Sequence, residues 1–321
     1  MKAICQQLEH DLKRFEIEKN SLKTLFIGGG TPSTVDPKYY ERFFDIVTPF
    51  LKKNAEITTE ANPNSATKKW LKGMKELGVN RISFGTQSFD EKKLSFLHRA
   101  HSADDTKRAV KDAYDLGIKN LSIDLIYATS IDTKALLNSD LKEAFSLPIN
   151  HISAYALTIE EGTDFFKTPE VAKEQLDDTQ WFLDSVNEAG FKQYEISNFG
   201  KGYQSVHNRG YWEYDSYLGI GSGAVGCVNQ SRYYPHSDVQ AYIDNPIYVT
   251  EEVLSHEDVK AEKLLLGLRS NVGFSLDGLN VSERQRVSLL VEDGKLRIED
   301  EKIFNDDFLL ADELALFVLS H

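Results

Sequence analysis

Five polar side chains stand at or just past the ends of successive apolar stretches: Thr31 in "FIGGGTPS", Glu60 in "TTEANP", Gln87 in "SFGTQSF", Asp124 in "SIDLIYA" and Glu160 in "YALTIEEGT". Carboxylates at such positions accept hydrogen bonds from hydroxyl or ammonium groups of a ligand, or they pair with a cation inside the protein. For Glu60 the internal partner would be Arg81. The glycines before Thr31, Gly28 to Gly30, resemble a phosphate loop at first sight. The position that a dinucleotide fingerprint needs as its last glycine is Ser33, and no Gly-Lys-Ser/Thr follows. What remains is a backbone nest, whose N–H groups suit a carboxylate and whose carbonyls suit an amine. The competing reading is a tight turn with no ligand. Arg99, in "LHRAHS", has the fork that grips a carboxylate, or it is a surface charge ahead of the next helix. His207, in "HNRGYW", sits among aromatics. It could ligate a metal or a heme iron, or be a hydrogen-bonded structural histidine.

The elements that must position these residues follow a regular alternation. Residues 1–15 carry Ile4, Leu8, Leu12 and Phe15 at helical spacing. "LKTLFIGGG" reads as a buried strand, residues 37–53 as a helix with Pro37 in its first turn, and "AEITTEANP" as a strand. "SATKKWLKGMKELG" reads as a helix capped by Ser65 and closed by Gly78. "NRISFGTQSF", "KNLSIDLIYA", "HISAYALTIE" and "KQYEISNFG" read as further strands. The helices between them include one capped by Ser102. Six strand–helix repeats with strands of near-continuous apolar character predict parallel βα units. Ligands of such folds sit at the C-terminal strand ends, where the polar residues cluster. After about residue 200 the pattern changes to a segment rich in Gly, Tyr and Ser. A charged helix (255–270) and a helix–hairpin–helix tail follow. The glycines of "YLGIGSGAVG" mark close backbone packing. A boundary near 200 gives domains 1–200 and 201–321.

The 321 residues carry a net charge of -13 and a pI near 5.1, which argues against general nucleic-acid binding. The two cysteines, Cys5 and Cys227, exclude a disulfide scaffold and a four-thiolate zinc site, and they suit a reducing cytosol. No apolar run approaches a membrane span, so a cytoplasmic location is expected.

"GGGTPS", "EANP", "NRISFGTQSF", "DLIY", "HISAYALTIEEGT", "YEISNF", "HNRGYW" and "YLGIGSGAVG" occur in order along the whole chain. Together they resemble the HemN/HemW group of radical S-adenosylmethionine (SAM) proteins, and "HNRGYW" brings the sequence nearer to the heme-chaperone (HemW) branch. The resemblance implies a partial (β/α)6 barrel followed by a smaller α+β domain. It implies that Gly29, Gly30 and Thr31 meet the methionine end of SAM. Glu60, Gln87, Arg99 and Asp124 would complete that pocket, with Arg99 on the carboxylate and Asp124 and Glu60 on the ribose hydroxyls or the amine. It implies heme at His207 with Tyr211 beside it, and heme delivery to acceptors such as respiratory hemoproteins.

The departures from the family pattern are also specific. Relatives begin with a strand and a Cys-x3-Cys-x2-Cys loop that holds a [4Fe–4S] cluster, and no such spacing occurs here. By resemblance, the sequence starts after that strand and loop. Cys5 falls on the helix that follows the loop, so it is not a displaced ligand. The barrel is then expected to lack its first strand, leaving an exposed edge prone to pairing, with a homodimer as the consequence. Without the cluster ligands, the oxygen-independent coproporphyrinogen III oxidase chemistry of the same group is not expected of this chain. Two smaller departures remove glycine. His98 replaces the Gly of a "GR-x-H" motif, and "DLIYATSIDT" replaces "DLIYGLPGQT".

Overall fold

Capping chemistry sets several element boundaries. Ser102 accepts from the backbone N–H of Asp105 while the Asp105 carboxylate accepts back from Ser102, and this capping box starts the helix Ala103–Asp115. Ser255 and Asp258 do the same for His256–Leu268, and Asn280 and Glu283 for Val281–Glu292. The computed structural model describes residues 1–173 and 176–320. In chain order its principal elements are α1 (Lys2–Arg14), β1 (Leu22–Ile27), α2 (Glu41–Val47), β2 (Leu51–Ala61), α3 (Lys68–Glu76), β3 (Arg81–Gln87), α4 (Glu91–Phe96), α5 (Ala103–Asp115), β4 (Asn120–Tyr127), α6 (Lys134–Ser146), β5 (His151–Ala156), α7 (Leu176–Glu188), β6 (Lys192–Gln193), β7 (Asn198–Gly200) and α8 (Val206–Trp212). There follow β8 (Gly226–Val228), β9 (Ser231–Pro235), α9 (Val239–Asp244), β10 (Val249–Val253), α10 (His256–Leu268), β11 (Phe274–Ser275), α11 (Val281–Glu292), β12 (Arg297–Glu299), β13 (Lys302–Phe304) and α12 (Ala311–Leu319).

Two compact units result. One comprises Thr24–Glu41 and Ala55–Ser205; the other comprises Met1–Lys23, Arg42–Asn54 and the chain from Val206 on. The first unit is built on a seven-stranded sheet of order β1-β2-β3-β4-β5-β7-β6. β2, β3, β4 and β5 pair in parallel, as expected. The last segment differs. "KQYEISNFG" folds into two short strands rather than one; β7 runs antiparallel to both β5 and β6. β1 differs as well. It is half-buried rather than buried, because it lies at the sheet edge.

The strands alternate more strictly than their composition suggested. Ile82, Phe84, Leu121, Ile123, Leu125, Ile152 and Ala154 are at most 1% exposed. α5 packs on β3 and β4. The intervening residues, Ser83, Asp124, Ser153 and Tyr155, present a polar face on the other side. Toward the N-terminal strand ends that face is internally satisfied. Ser122 Oγ meets His151 Nδ1 at 2.7 Å, His151 Nε2 meets the Tyr194 hydroxyl at 2.8 Å, and Glu56 accepts from Ser205 and Tyr203. Burial, reinforced by Arg81, holds His151 neutral.

Other boundaries move for identifiable reasons. α3 is capped by Thr67, which accepts from Trp70 N–H, and not by Ser65. The Ser65 hydroxyl is engaged instead by Ser33 at 2.6 Å. Gly78 follows the helix at φ +108°, the closing role expected of it. The helix expected over 37–53 breaks into turns around α2, and residues 51–53 begin β2.

In the second unit, α10, α11 and α12 enclose a core of Leu264, Leu268, Val287, Leu290, Leu314 and Val318 over the β11–β13–β12 sheet. The buried Gln7 of α1 donates to Gly219 O and accepts from Gly221 N–H and the Tyr242 hydroxyl, at 2.9, 2.9 and 2.7 Å. Close packing of the "YLGIGSGAVG" segment is thus met within this unit. A Cβ on Gly219 would come within 2.1 Å of Ala224 O.

Candidate functional site

The polar ends of the parallel strands converge in the first unit. Gly29 and Gly30 adopt φ of +75° and +80°, and a side chain at either would meet nothing within 4 Å. The loop is therefore an open cradle rather than a packed turn. Glu60 lies under it. Its Oε2 accepts from Gly29 N–H at 3.3 Å, and a Cβ on Gly28 would press on its carboxyl. The ion pair with Arg81 does not form among the described residues; the recorded partner of Glu60 is this backbone amide. Burial raises the Glu60 carboxyl above its ordinary range, and the Gly29 amide draws it partly back. Thr31 is half-buried and precedes a turn that starts at Pro32.

Asp124 sits across the sheet. Ser83 Oγ donates to its Oδ1 at 3.1 Å, and Ser153 supplies a second hydroxyl. Desolvation pushes its carboxyl up to about 6, against those two hydroxyls, while the charge of Glu60 adds to the rise. Gln87 reaches its place through a bulge. The β3–β4 register shifts between Phe84 and Gln87, Gln87 takes φ +66°, and its amide lies 3.3 Å from where a Cβ on Gly85 would stand. Arg99 is exposed as a residue, but partial desolvation of its guanidinium lowers its pKa, and the nearby Asp124 charge opposes that. Gly29, Glu60, Asp124 and Arg99 are thus connected by hydrogen bonds or charge. Glu160 is not part of this set. β5 ends at Ala156, and Glu160 is exposed in the loop beyond.

Two residues beside this set were not expected from the sequence. Tyr155 is the last polar-face residue of β5; it is 43% exposed and shares a hydrogen bond with the Ser153 hydroxyl. Glu195, in the β6–β7 connection, is 1% exposed, and burial lifts its carboxyl to about 7. A lone charge between Tyr and Ile in "YEISNF" was the signal.

Two of the positions where the resemblance expects glycine, His98 and Ala128, fall on left-handed backbone. His98 ends α4 at φ +53°, with His98 N–H on Ser95 O and Arg99 N–H on Leu94 O. This closing motif favours glycine and sets the position of Arg99. Ala128 opens the loop after β4 at φ +60°. Replacing each by glycine relieves a left-handed Cβ, so His98→Gly and Ala128→Gly are each expected to raise unfolding free energy by about 1 kcal/mol. Urea denaturation checks this, and a loss of stability in both would refute the strain assignment.

In the second unit, His207 and Tyr211 lie on α8 with ring centroids 5.0 Å apart, edge to face, and Tyr211 meets Tyr217 at 4.7 Å. Asp215 there holds Lys23 at 2.8 Å. The three-thiolate set of a [4Fe–4S] cluster is not found in these residues. Cys5 is buried in α1 and Cys227 lies in β8. Among the described residues no three His, Cys, Asp or Glu side chains gather at metal-binding distance. Among the described residues no helix is long and apolar enough to cross a membrane.

The Radical SAM superfamily profile matches residues 4–138. A Bacillus subtilis protein named heme chaperone HemW is 35% identical over 271 residues, covering 79% of this chain and 71% of that protein. Its Lactococcus lactis namesake is 33% identical over 285 residues, covering 84% and 74%. The structure of coproporphyrinogen III oxidase HemN from Escherichia coli superposes with a TM-score of 0.82 over 99% of this chain and 82% of its own, at 17% identity. That likeness concerns the fold, and it agrees with a partial barrel bearing a further α+β part. The chain belongs to the HemW family of radical SAM proteins.

Proposed function

We propose that the chain is a heme chaperone that binds heme at His207 and SAM at the cleft of the first unit. The observation that carries the heme reading is the α8 arrangement, an imidazole flanked edge-to-face by Tyr211, on a chain whose relatives are named heme chaperones. Imidazole is a common axial ligand of heme iron, and aromatic rings suit the porphyrin plane. Heme is then cargo, passed to acceptors such as respiratory hemoproteins. A cytoplasmic location and a homodimer complete the reading.

SAM brings a sulfonium, an amino-acid end and a ribose. Gly29 and Gly30 present open backbone to the amino-acid end, together with Thr31. Arg99 would grip the carboxylate, and Glu60 and Asp124 would accept from the amine or the ribose hydroxyls. Gln87, aimed by its bulge, would add an amide. The residues present fit SAM. They do not fit the cluster, and no reaction step is assigned to it. The porphyrin-oxidase reading has less support, since the likeness to HemN speaks for the fold and "HNRGYW" favours the chaperone branch.

Hemin titration tests the heme site. The purified chain is expected to develop a Soret band that saturates, and His207→Ala to weaken hemin binding on the order of 100-fold, about 2.7 kcal/mol. An unchanged binding curve in a variant with native circular dichroism would sink the His207 assignment.

A further inference from the structure

Glu195 and Asn198 carry two orphaned acceptors at the polar face of the sheet. Glu195 is 1% and Asn198 5% exposed. One Glu195 oxygen accepts from Ser197 N–H at 3.1 Å and the Asn198 amides stabilise the carboxylate, yet Oε1 of Glu195 and Oδ1 of Asn198 are buried with no well-formed hydrogen bond among the described residues. Asn198 stands in register with Ser153, and Ser153 with Asp124. Ser153 bonds both Asp124 and Tyr155, and Tyr155 feels the charges of Asp124, Glu195 and Glu60 together. Three acids therefore act electrostatically on one phenol.

The other groups around Glu195 do not neutralise it. Tyr194, its chain neighbour, is a neutral phenol bonded to the neutral His151. Arg81 on β3 acts on Tyr194 and Asp124 but forms no ion pair with Glu195 among the described residues. Asp124 and Glu60 are of like sign. A buried carboxyl kept without an internal cation is available to a cationic guest. The part-exposed Tyr155 ring offers a face on which an onium group rests favourably.

We propose that Glu195 is a further positioning residue of this cleft, one that recognises the positive charge of the ligand's sulfonium across Tyr155. The inference rests on reading the cleft as a SAM site. Its signature is charge selectivity. S-adenosylhomocysteine matches SAM in shape except for one methyl group and has no sulfonium charge, so the ratio of the two affinities isolates the charge.

Isothermal titration of both ligands into the full chain at pH 8 and pH 5.5 tests it. At pH 8 Glu195→Gln is expected to lower the SAM-to-homologue affinity ratio about fivefold, the size of a unit charge acting through several ångströms of partly wet protein. At pH 5.5, where Glu195 already holds its proton, the variant ratio should equal the wild-type ratio. Glu195→Asp should keep the pH 8 ratio, and it serves the test if the glutamine variant misfolds. Ratios that do not differ at pH 8, with both ligands bound, overturn the role of Glu195 alone. If neither ligand binds the wild type, or if Glu60→Gln leaves both affinities unchanged, the cleft reading falls and takes this inference with it.

Discussion

Lys93→Met is expected to cost 3–5 kcal/mol of stability, roughly the most that one substitution in this unit should remove. Lys93 is fully buried on α4. Its Nζ lies 2.6 Å from Asp132 Oδ1 and 3.8 Å from Asp140 Oδ2. Asp140 also accepts from Ser88 Oγ and from Phe89 N–H at 2.7 Å, and Asp132 accepts from Thr129 N–H at 2.9 Å. Burial raises the Asp140 carboxyl, and Lys93 is the first influence that lowers it again. Methionine would fill the same volume and leave two facing carboxylates in a dry site. Breaking one side of a buried ion pair is far more damaging than replacing the whole set by apolar groups. The triple variant Lys93→Met, Asp132→Asn, Asp140→Asn should therefore recover much of the loss. Urea unfolding of the single and triple variants measures both effects. A single-variant loss below about 1 kcal/mol would show that the triad is not dry.

Glu195 should lower stability as pH rises from about 4.5 to 7, the buried neutral His151 acts in the opposite sense, and Glu195→Gln should remove the Glu195 share. The unfolded chain ionises its glutamates near 4.5, whereas Glu195 in the fold holds its proton up to about 7. Between those values the native state binds more protons than the unfolded state, so raising the pH favours unfolding. The shift corresponds to at most on the order of 3 kcal/mol by pH 8. Asp124, lifted to about 6, adds in the same direction over a lower window, and its partial exposure reduces its share. Calorimetric melting of wild type and Glu195→Gln should give similar midpoints at pH 4.5 and a higher midpoint for the variant at pH 8. Parallel pH curves would mean that Glu195 is already hydrated in the native state.

The parallel sheet was legible because strand and helix periods alternate along the sequence, and the strand-end residues were legible because parallel order puts all C-terminal ends on one side. What escaped was what tertiary contacts decide. "KQYEISNFG" has strand composition, but nothing local states that Tyr194–Ser197 turn the chain and reverse its direction. Ser65 is as good a cap as Thr67 by type, and it lost the role because Ser33, thirty-two residues away, occupies its hydroxyl. Glu160 was placed at a strand end because "ALTI" continues the apolar run, while β5 stops at Ala156. In the site, Glu60 and Asp124 announced themselves as charges closing apolar runs. Tyr155 and Glu195 did not, since an aromatic in a strand and a single acid in a mixed segment read as ordinary residues.

The loop after β4 has one more implication. Ser130 N–H donates to Val171 O and Lys173 N–H to Ala128 O, both at 2.8 Å, which stitches residues 128–130 to 171–173. Asp132 is moored to Lys93. The loop's shape is thus dictated from outside its own residues, by a helix on one side and a neighbouring loop on the other. Such a segment behaves as an exchangeable cassette. Its moorings, rather than its own side chains, fix its shape. Efforts to graft a different rim onto this scaffold would do best to keep Lys93 and Asp140 and rewrite what lies between Ala128 and Asp132.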